Sequence, residues 1–89
     1  MEKRDKRLQW GKKLKLYDSG KIKREVNYVD GQEQGKCIEY YETGEVQREV
    51  NYVDGLRQGW MLIYDPNGNI SEQKRYTDDT CVESSERDE

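Results

Sequence analysis

The eight residues REVNYVDG occur at 24–31 and again at 48–55. A short chain that writes one segment twice, 24 residues apart, is built from a repeated unit. Stacking needs copies, and a catalytic motif does not. Set out in lines of 24, the sequence holds three copies: GKKLKLYDSGKIKREVNYVDGQEQ (11–34), GKCIEYYETGEVQREVNYVDGLRQ (35–58) and GWMLIYDPNGNISEQKRYTDDTCV (59–82). The first two agree at 13 of 24 positions. The third keeps Gly59, Tyr64, Gly68, Ile70, Tyr76 and Asp78.

Within each copy the period is two. Ile38 and Tyr40 alternate with Cys37, Glu39 and Tyr41, and Val46, Arg48, Val50 and Tyr52 alternate with Gln47, Glu49, Asn51 and Val53. Such alternation, rich in β-branched and aromatic residues, predicts half-buried strands. DSGK, ETGE and DPNG mark short hairpin turns, with glycine supplying positive φ. Asp30-Gly31 and Asp54-Gly55 mark the turns between copies. The expected strands are 12–17, 22–29, 36–41, 46–53, 60–65 and 70–77. The expected fold is all-β: an antiparallel meander of about six strands, made of three stacked hairpin repeats, since one hairpin is marginal alone. Four ladders should carry most of the core: Tyr28, Tyr52 and Tyr76; Leu16, Tyr40 and Tyr64; Leu14, Ile38 and Leu62; Ile22, Val46 and Ile70.

Composition demands such economy. The chain is 39% charged with a mean hydropathy of -1.33, close to the range where chains fail to bury enough apolar surface to fold. Seven tyrosines and two tryptophans fit the need for rings that bury area and keep a wet end. No stretch approaches a membrane span, and MEKRDKRLQW has no apolar core of a secretory signal. Cys37 and Cys81 form no CxxC pair, so two free thiols and a cytoplasmic location are expected. Charge is uneven. Residues 1–31 hold ten Lys/Arg and five Asp/Glu, a net of +5, and residues 32–89 hold six and fourteen, a net of -8. The organisation read from this is a basic segment (1–10), a repeat domain (11–79) and an acidic solvating tail (80–89).

The chain resembles the MORN repeat family, in its short bacterial variant, through GKCIEYYETGEVQREVNYVDG and its two relatives over residues 11 to about 79. The aromatic often found two residues after the leading glycine is absent, with Lys13, Cys37 and Met61 in its place. Trp60, one place early, substitutes in the last copy, and Asp79 replaces the glycine of the final turn. The resemblance implies stacked β-hairpins and a non-enzymatic role as an interaction platform, with some members linked to membranes or phosphoinositides. Bacterial proteins with this variant are often named antitoxins.

The residues themselves argue against an enzyme. With no histidine there is no Ser-His or Cys-His arrangement and no His-bearing metal site, and two distant cysteines cannot hold a structural zinc unaided. Glu42, Glu45 and Glu49 lie close in sequence, with nothing to raise a pKa. No cofactor or metal is expected. The expected partner is another protein. Tyr17, Cys37, Tyr41, Val53, Met61 and Ile63 fall on the parity opposite the main ladders, a second apolar face for a partner or for a homodimer. Tyr41, Met61 and Ile63 are the candidate anchors, with Tyr17 and Trp60 beside them, unless the termini fold over that face with Trp10 as a plug. Lys12, Lys13 and Lys15 could touch phosphate, but edge protection explains them better, and a net charge of -3 argues against nucleic acid and anionic membranes as partners. Glu42, Glu45, Asp78 and Asp79 are the acidic candidates for steering, or for an inhibitor that mimics nucleic-acid charge and neutralises a basic enzyme.

Overall fold

The computed structural model describes residues 10–86, with side chains from 11 to 84. Its strands are β1 (Trp10–Leu16), β2 (Ile22–Val29), β3 (Gln32–Tyr40), β4 (Val46–Val53), β5 (Leu56–Tyr64), β6 (Ile70–Thr77) and β7 (Thr80–Glu86). They form one antiparallel sheet in chain order, a single-layer meander 14 Å thick along its shortest axis.

Two kinds of turn alternate, and each follows from its residues. In the wide turns, Tyr17, Tyr41 and Asp65 accept from Gly20, Gly44 and Gly68 at 2.9 Å and donate to the carbonyls of Lys21, Glu45 and Asn69 at 2.8 Å. The three glycines adopt φ of 95°, 102° and 92°, which a side chain would oppose. In the tight turns both central residues have positive φ: Asp30 and Gly31 (52° and 83°), Asp54 and Gly55 (52° and 83°), Asp78 and Asp79 (48° and 72°). Those are two-residue type I′ loops, whose twist matches that of the flanking strands. Because they are so short, β3 and β5 begin at Gln32 and Leu56, four residues before the expected starts.

The seventh strand corrects the expectation of a solvating tail at 80–89. Asp79 tolerates the left-handed conformation well enough to close a type I′ turn without glycine. Thr77 then pairs with Thr80, and β7 continues along β6 to Glu72↔Glu86. Residues 1–9 and 87–89 lie outside the described residues, as does the side chain of Trp10, the expected plug.

The assignment of faces also needs correction. Even-numbered residues on both strands of a hairpin were expected to share a face. The register instead sets even against odd: Lys13↔Val26, Val26↔Cys37, Cys37↔Val50 and Met61↔Lys74. A one-residue bulge at Lys23, Gln47 and Ser71 then turns the start of β2, β4 and β6 over, so that Leu16↔Ile22, Tyr40↔Val46 and Tyr64↔Ile70 lie on the opposite side. The sheet therefore has a core face and an open face. On the core face Val26, Cys37, Val50, Met61 and Tyr76 are buried, with Tyr28, Tyr52 and Ile63 packed against them. Each buried Val or Met contributes about 1.5–3 kcal/mol through loss of apolar surface to water. Of the four expected ladders, only the Tyr28, Tyr52 and Tyr76 row belongs here. The rows of Leu14, Leu16 and Ile22 lie on the open face.

The leading glycines sit opposite those tyrosines: Gly11↔Tyr28, Gly35↔Tyr52 and Gly59↔Tyr76. A Cβ added at any of these glycines would meet nothing within 4 Å, so the tyrosine rings do not pack onto them. Gly35 and Gly59 also adopt φ of 86° and 82°, because β3 and β5 each carry two extra residues relative to the preceding strand at this point. Among the described residues no strand precedes β1, and Gly11 has no positive φ.

Candidate functional site

The core face is roofed by its own side chains. Lys13 and Lys74 stand at the two ends of the buried row, opposite Val26 and Met61. The Lys13 ammonium lies 5.0 Å from the centre of the Tyr28 ring, and the Arg57 guanidinium lies 4.3 Å from that of Tyr76. Glu39 accepts from Arg48 at 2.7 Å and meets Arg24 at 3.4 Å, so one carboxylate joins two successive hairpins. Arg48 also lies 3.9 Å from the Met61 sulfur. Long cationic side chains thus lay their stems over the apolar row and keep their charge wet. Burial pushes the Cys37 thiol above its ordinary pKa, the mark of a structural cysteine rather than a reactive one.

The turns are tied along the stack. Gln34 donates to the Asp54 carboxylate at 3.0 Å and accepts from the Asp54 backbone N–H at 2.8 Å. Gln58 does the same with Asp78, at 3.1 and 2.8 Å. These glutamine staples recur at the repeat spacing, and sequence reasoning missed them although Gln34 and Gln58 occupy the same line position. Arg57 pairs with Asp79 at 2.6 Å, and that bond holds the Asp79 carboxyl below its usual range. Tyr17 and Tyr41 donate to the carbonyls of Tyr40 and Tyr64, each at 2.6 Å, one repeat farther along.

The sequence-derived candidates are accordingly dispersed. Met61 is 3% exposed, so the expected anchor is part of the core. Ile63 packs against it on the same face. Tyr17 and Tyr41 are half-buried and committed to the neighbouring repeat. Trp60 alone of that set is well exposed, at 45%, and lies on the open face. Lys12, Lys13 and Lys15 do not form one patch. Lys12 meets Glu25 at 3.9 Å on the open face, and alternation along β1 puts Lys13 and Lys15 on the core face. Glu42 and Glu45 are exposed at a wide turn, and Asp78 and Asp79 at the last tight one. Among the described residues no group of three or more His, Cys, Asp or Glu could hold a metal ion, and no helix is long and apolar enough to cross a membrane.

The open face is different in kind. Its rows are Leu14, Glu25, Ile38, Glu49 and Leu62, then Leu16, Ile22, Tyr40, Val46, Tyr64 and Ile70. Of the eight exposed large apolar side chains among the described residues, the register places seven on this face, Leu14, Leu16, Ile22, Val53, Leu56, Trp60 and Ile70, and the eighth, Val82, sits in the irregularity of β7. The charges here are paired: Lys12 with Glu25, Lys36 with Glu49 at 3.9 Å, and Arg75 with Glu83 at 2.8 Å. Tyr64 donates to Glu49 at 2.8 Å, which raises the pKa of the Tyr64 phenol. Two shallow depressions share Glu49. One of about 260 Å³ is lined by Glu45, Val46, Glu49, Tyr64 and Gly68. The other, of about 190 Å³, lies among Lys36, Asn51, Trp60 and Leu62.

No curated protein and no solved structure matches this chain. The MORN repeat variant matches it three times, at residues 11–30, 33–54 and 57–78, which together span well over half its length. Each match holds one wide-turn hairpin with its leading strand, its glycine and its tyrosine, as the sheet requires. MORN repeats are generally modules for interaction with proteins or membranes. The chain belongs to the MORN repeat variant family.

Proposed function

We propose that this protein is a non-enzymatic binding module that presents the open face of its sheet to another protein. The observation that carries this reading is the segregation of exposed apolar side chains. A chain this polar gathers seven of them on one side of a single-layer sheet, around charges already paired with one another. Contiguous apolar surface with a polar surround is the usual mark of a protein-binding surface. Affinity capture from the native host, run with face-specific variants, tests it. Leu16→Glu and Trp60→Glu should abolish capture of a specific protein, while Lys15→Glu on the core face should leave it unchanged. Equal retention by all three variants would remove the open face from the account.

A second reading is a small acidic inhibitor or antitoxin acting on a basic enzyme. The net of -8 on residues 32–89 favours it. Part of that charge is engaged within the sheet, since Asp79 pairs with Arg57 and Glu83 with Arg75. Binding to such an enzyme should weaken steeply with ionic strength, and salt-independent binding would rule the idea out.

A further inference from the structure

We propose that the first occupant of the open face is a second copy of this chain, giving a two-layer sandwich with the core faces outward. This rests on the open face being a docking surface. Three features choose a copy of the chain over other occupants.

The first is architecture. A sheet buries its apolar face against another layer, and the described residues supply only one layer. The core face is roofed by its own Arg, Lys and Tyr side chains, whereas among the described residues Leu14, Leu16 and Ile22 on the other side have no such cover. The second is area. Seven strands of seven to nine residues span roughly 30 by 30 Å at ordinary strand spacing and rise. Mutual covering removes about 800–900 Å² from each copy, the size of a stable specific interface.

The third is electrostatic fit. The ion pairs on the open face are internal, so no net charge opposes approach of a like surface. The edge strands are unlike: β1 carries three lysines and no acidic residue, and β7 carries two glutamates and no basic one. A two-fold axis parallel to the strands and passing through β4 lays β1 over the acidic end of the other copy. Rotation about the perpendicular in-plane axis would lay the basic end on itself. With the axis along β4, Ile38 covers the partner's Leu62, Tyr40 covers the partner's Tyr64, Lys12 approaches the partner's Glu83, and Val46 meets its own copy. Glu49 also lies near the axis, where the Tyr64 hydroxyl and Lys36 already compensate its charge.

Sedimentation equilibrium on the full chain should give the mass of a dimer. Trp60→Glu and Leu16→Glu, both at well-exposed positions, should raise the dissociation constant at least about tenfold and keep the β-sheet circular dichroism of the parent. Lys15→Glu should leave it unchanged. In a Cys81→Ser background, Val46→Cys should be joined to its copy by a bismaleimide about as long as the spacing between packed sheets, about 10 Å, and Leu16→Cys should not. A monomer at every concentration overturns the dimer and leaves the docking reading to the capture experiment. A dimer that both open-face variants retain overturns it as well, and assigns association to a sheet edge.

Discussion

The leading glycines allow a within-molecule experiment on what the repeat motif is for. Gly35 and Gly59 combine two features, a tyrosine opposite and positive φ of 86° and 82°. Gly11 has only the first, with Tyr28 opposite and an ordinary backbone. A Cβ built on any of the three meets nothing within 4 Å, so steric collision drops out of the comparison. What is left is conformational. Alanine held in the left-handed region costs about 1–2 kcal/mol, and its stiffer unfolded chain returns about 0.4–1 kcal/mol. Gly35→Ala and Gly59→Ala should therefore each destabilise by about 1 kcal/mol net, while Gly11→Ala should stabilise by about 0.5 kcal/mol. For a domain of this size that is a fall of about 4–8 °C in Tm against a rise of a few degrees. The assay is urea and thermal unfolding at one fixed protein concentration, so that any association contributes equally. If Gly11→Ala proves as harmful as Gly35→Ala, positive φ is not what requires glycine at this position. If Gly35→Ala is benign, the positive φ is not a constraint and the account of the bulge fails.

Further outcomes follow from the same contacts. Gln34→Ala should cost about 0.5–1 kcal/mol, and a double-mutant cycle with Asp54→Ala should show most of that energy as coupling between the two. Glu39→Gln loosens two arginines at once. Because the pairs are partly exposed, about 0.5–1 kcal/mol is expected, and the difference from wild type in unfolding midpoint should shrink in high salt. Asp79 has a depressed pKa through its bonds to Arg57, so its contribution is present above the ordinary carboxylate value and is lost as pH falls through the folded value. The share of the Arg57→Ala destabilisation that comes from Asp79, measured by urea unfolding, should be present at neutral pH and fade as pH falls below the ordinary carboxylate range, leaving the share that comes from the Tyr76 ring. In the folded protein a thiol reagent should label exposed Cys81 quickly and buried Cys37 only on unfolding; two fast thiols would contradict the packing of Cys37 against Val26 and Val50.

Hairpins and turns were legible because glycine, Asp-Gly pairs and alternation are local signals, and the copies repeat them three times. Faces were not legible by counting. The bulge at Lys23, Gln47 and Ser71 inverts parity inside one strand, and nothing in those residue types announces it. That single omission moved Met61 from a surface anchor to the core and left Leu14, Leu16 and Ile22 among the buried ladders. The seventh strand did carry a signal. Thr80 and Val82 are β-branched and follow Asp78-Asp79, two residues able to adopt positive φ, but the acidic composition around them outweighed it. The glutamine staples needed the register, since Gln34 and Asp54 are 20 residues apart.

The last strand differs from its predecessors at one place. Glu83 stands where Gly35 and Gly59 stand in the earlier copies, and it lacks their positive φ. The two-residue irregularity of β3 and β5 shrinks to one residue in β7, so Gln73 faces Ser85, where Glu49 faces Leu62 one repeat earlier. From that point the chain is one residue out of phase with the stack. A repeat that continued through Glu83 in this register would turn its apolar side chains to the open face. A copy inserted between 58 and 59 would propagate in frame. Glu83→Gly would remove the Cβ that opposes positive φ there, so it is the single change that could bring β7 back into phase with β3 and β5.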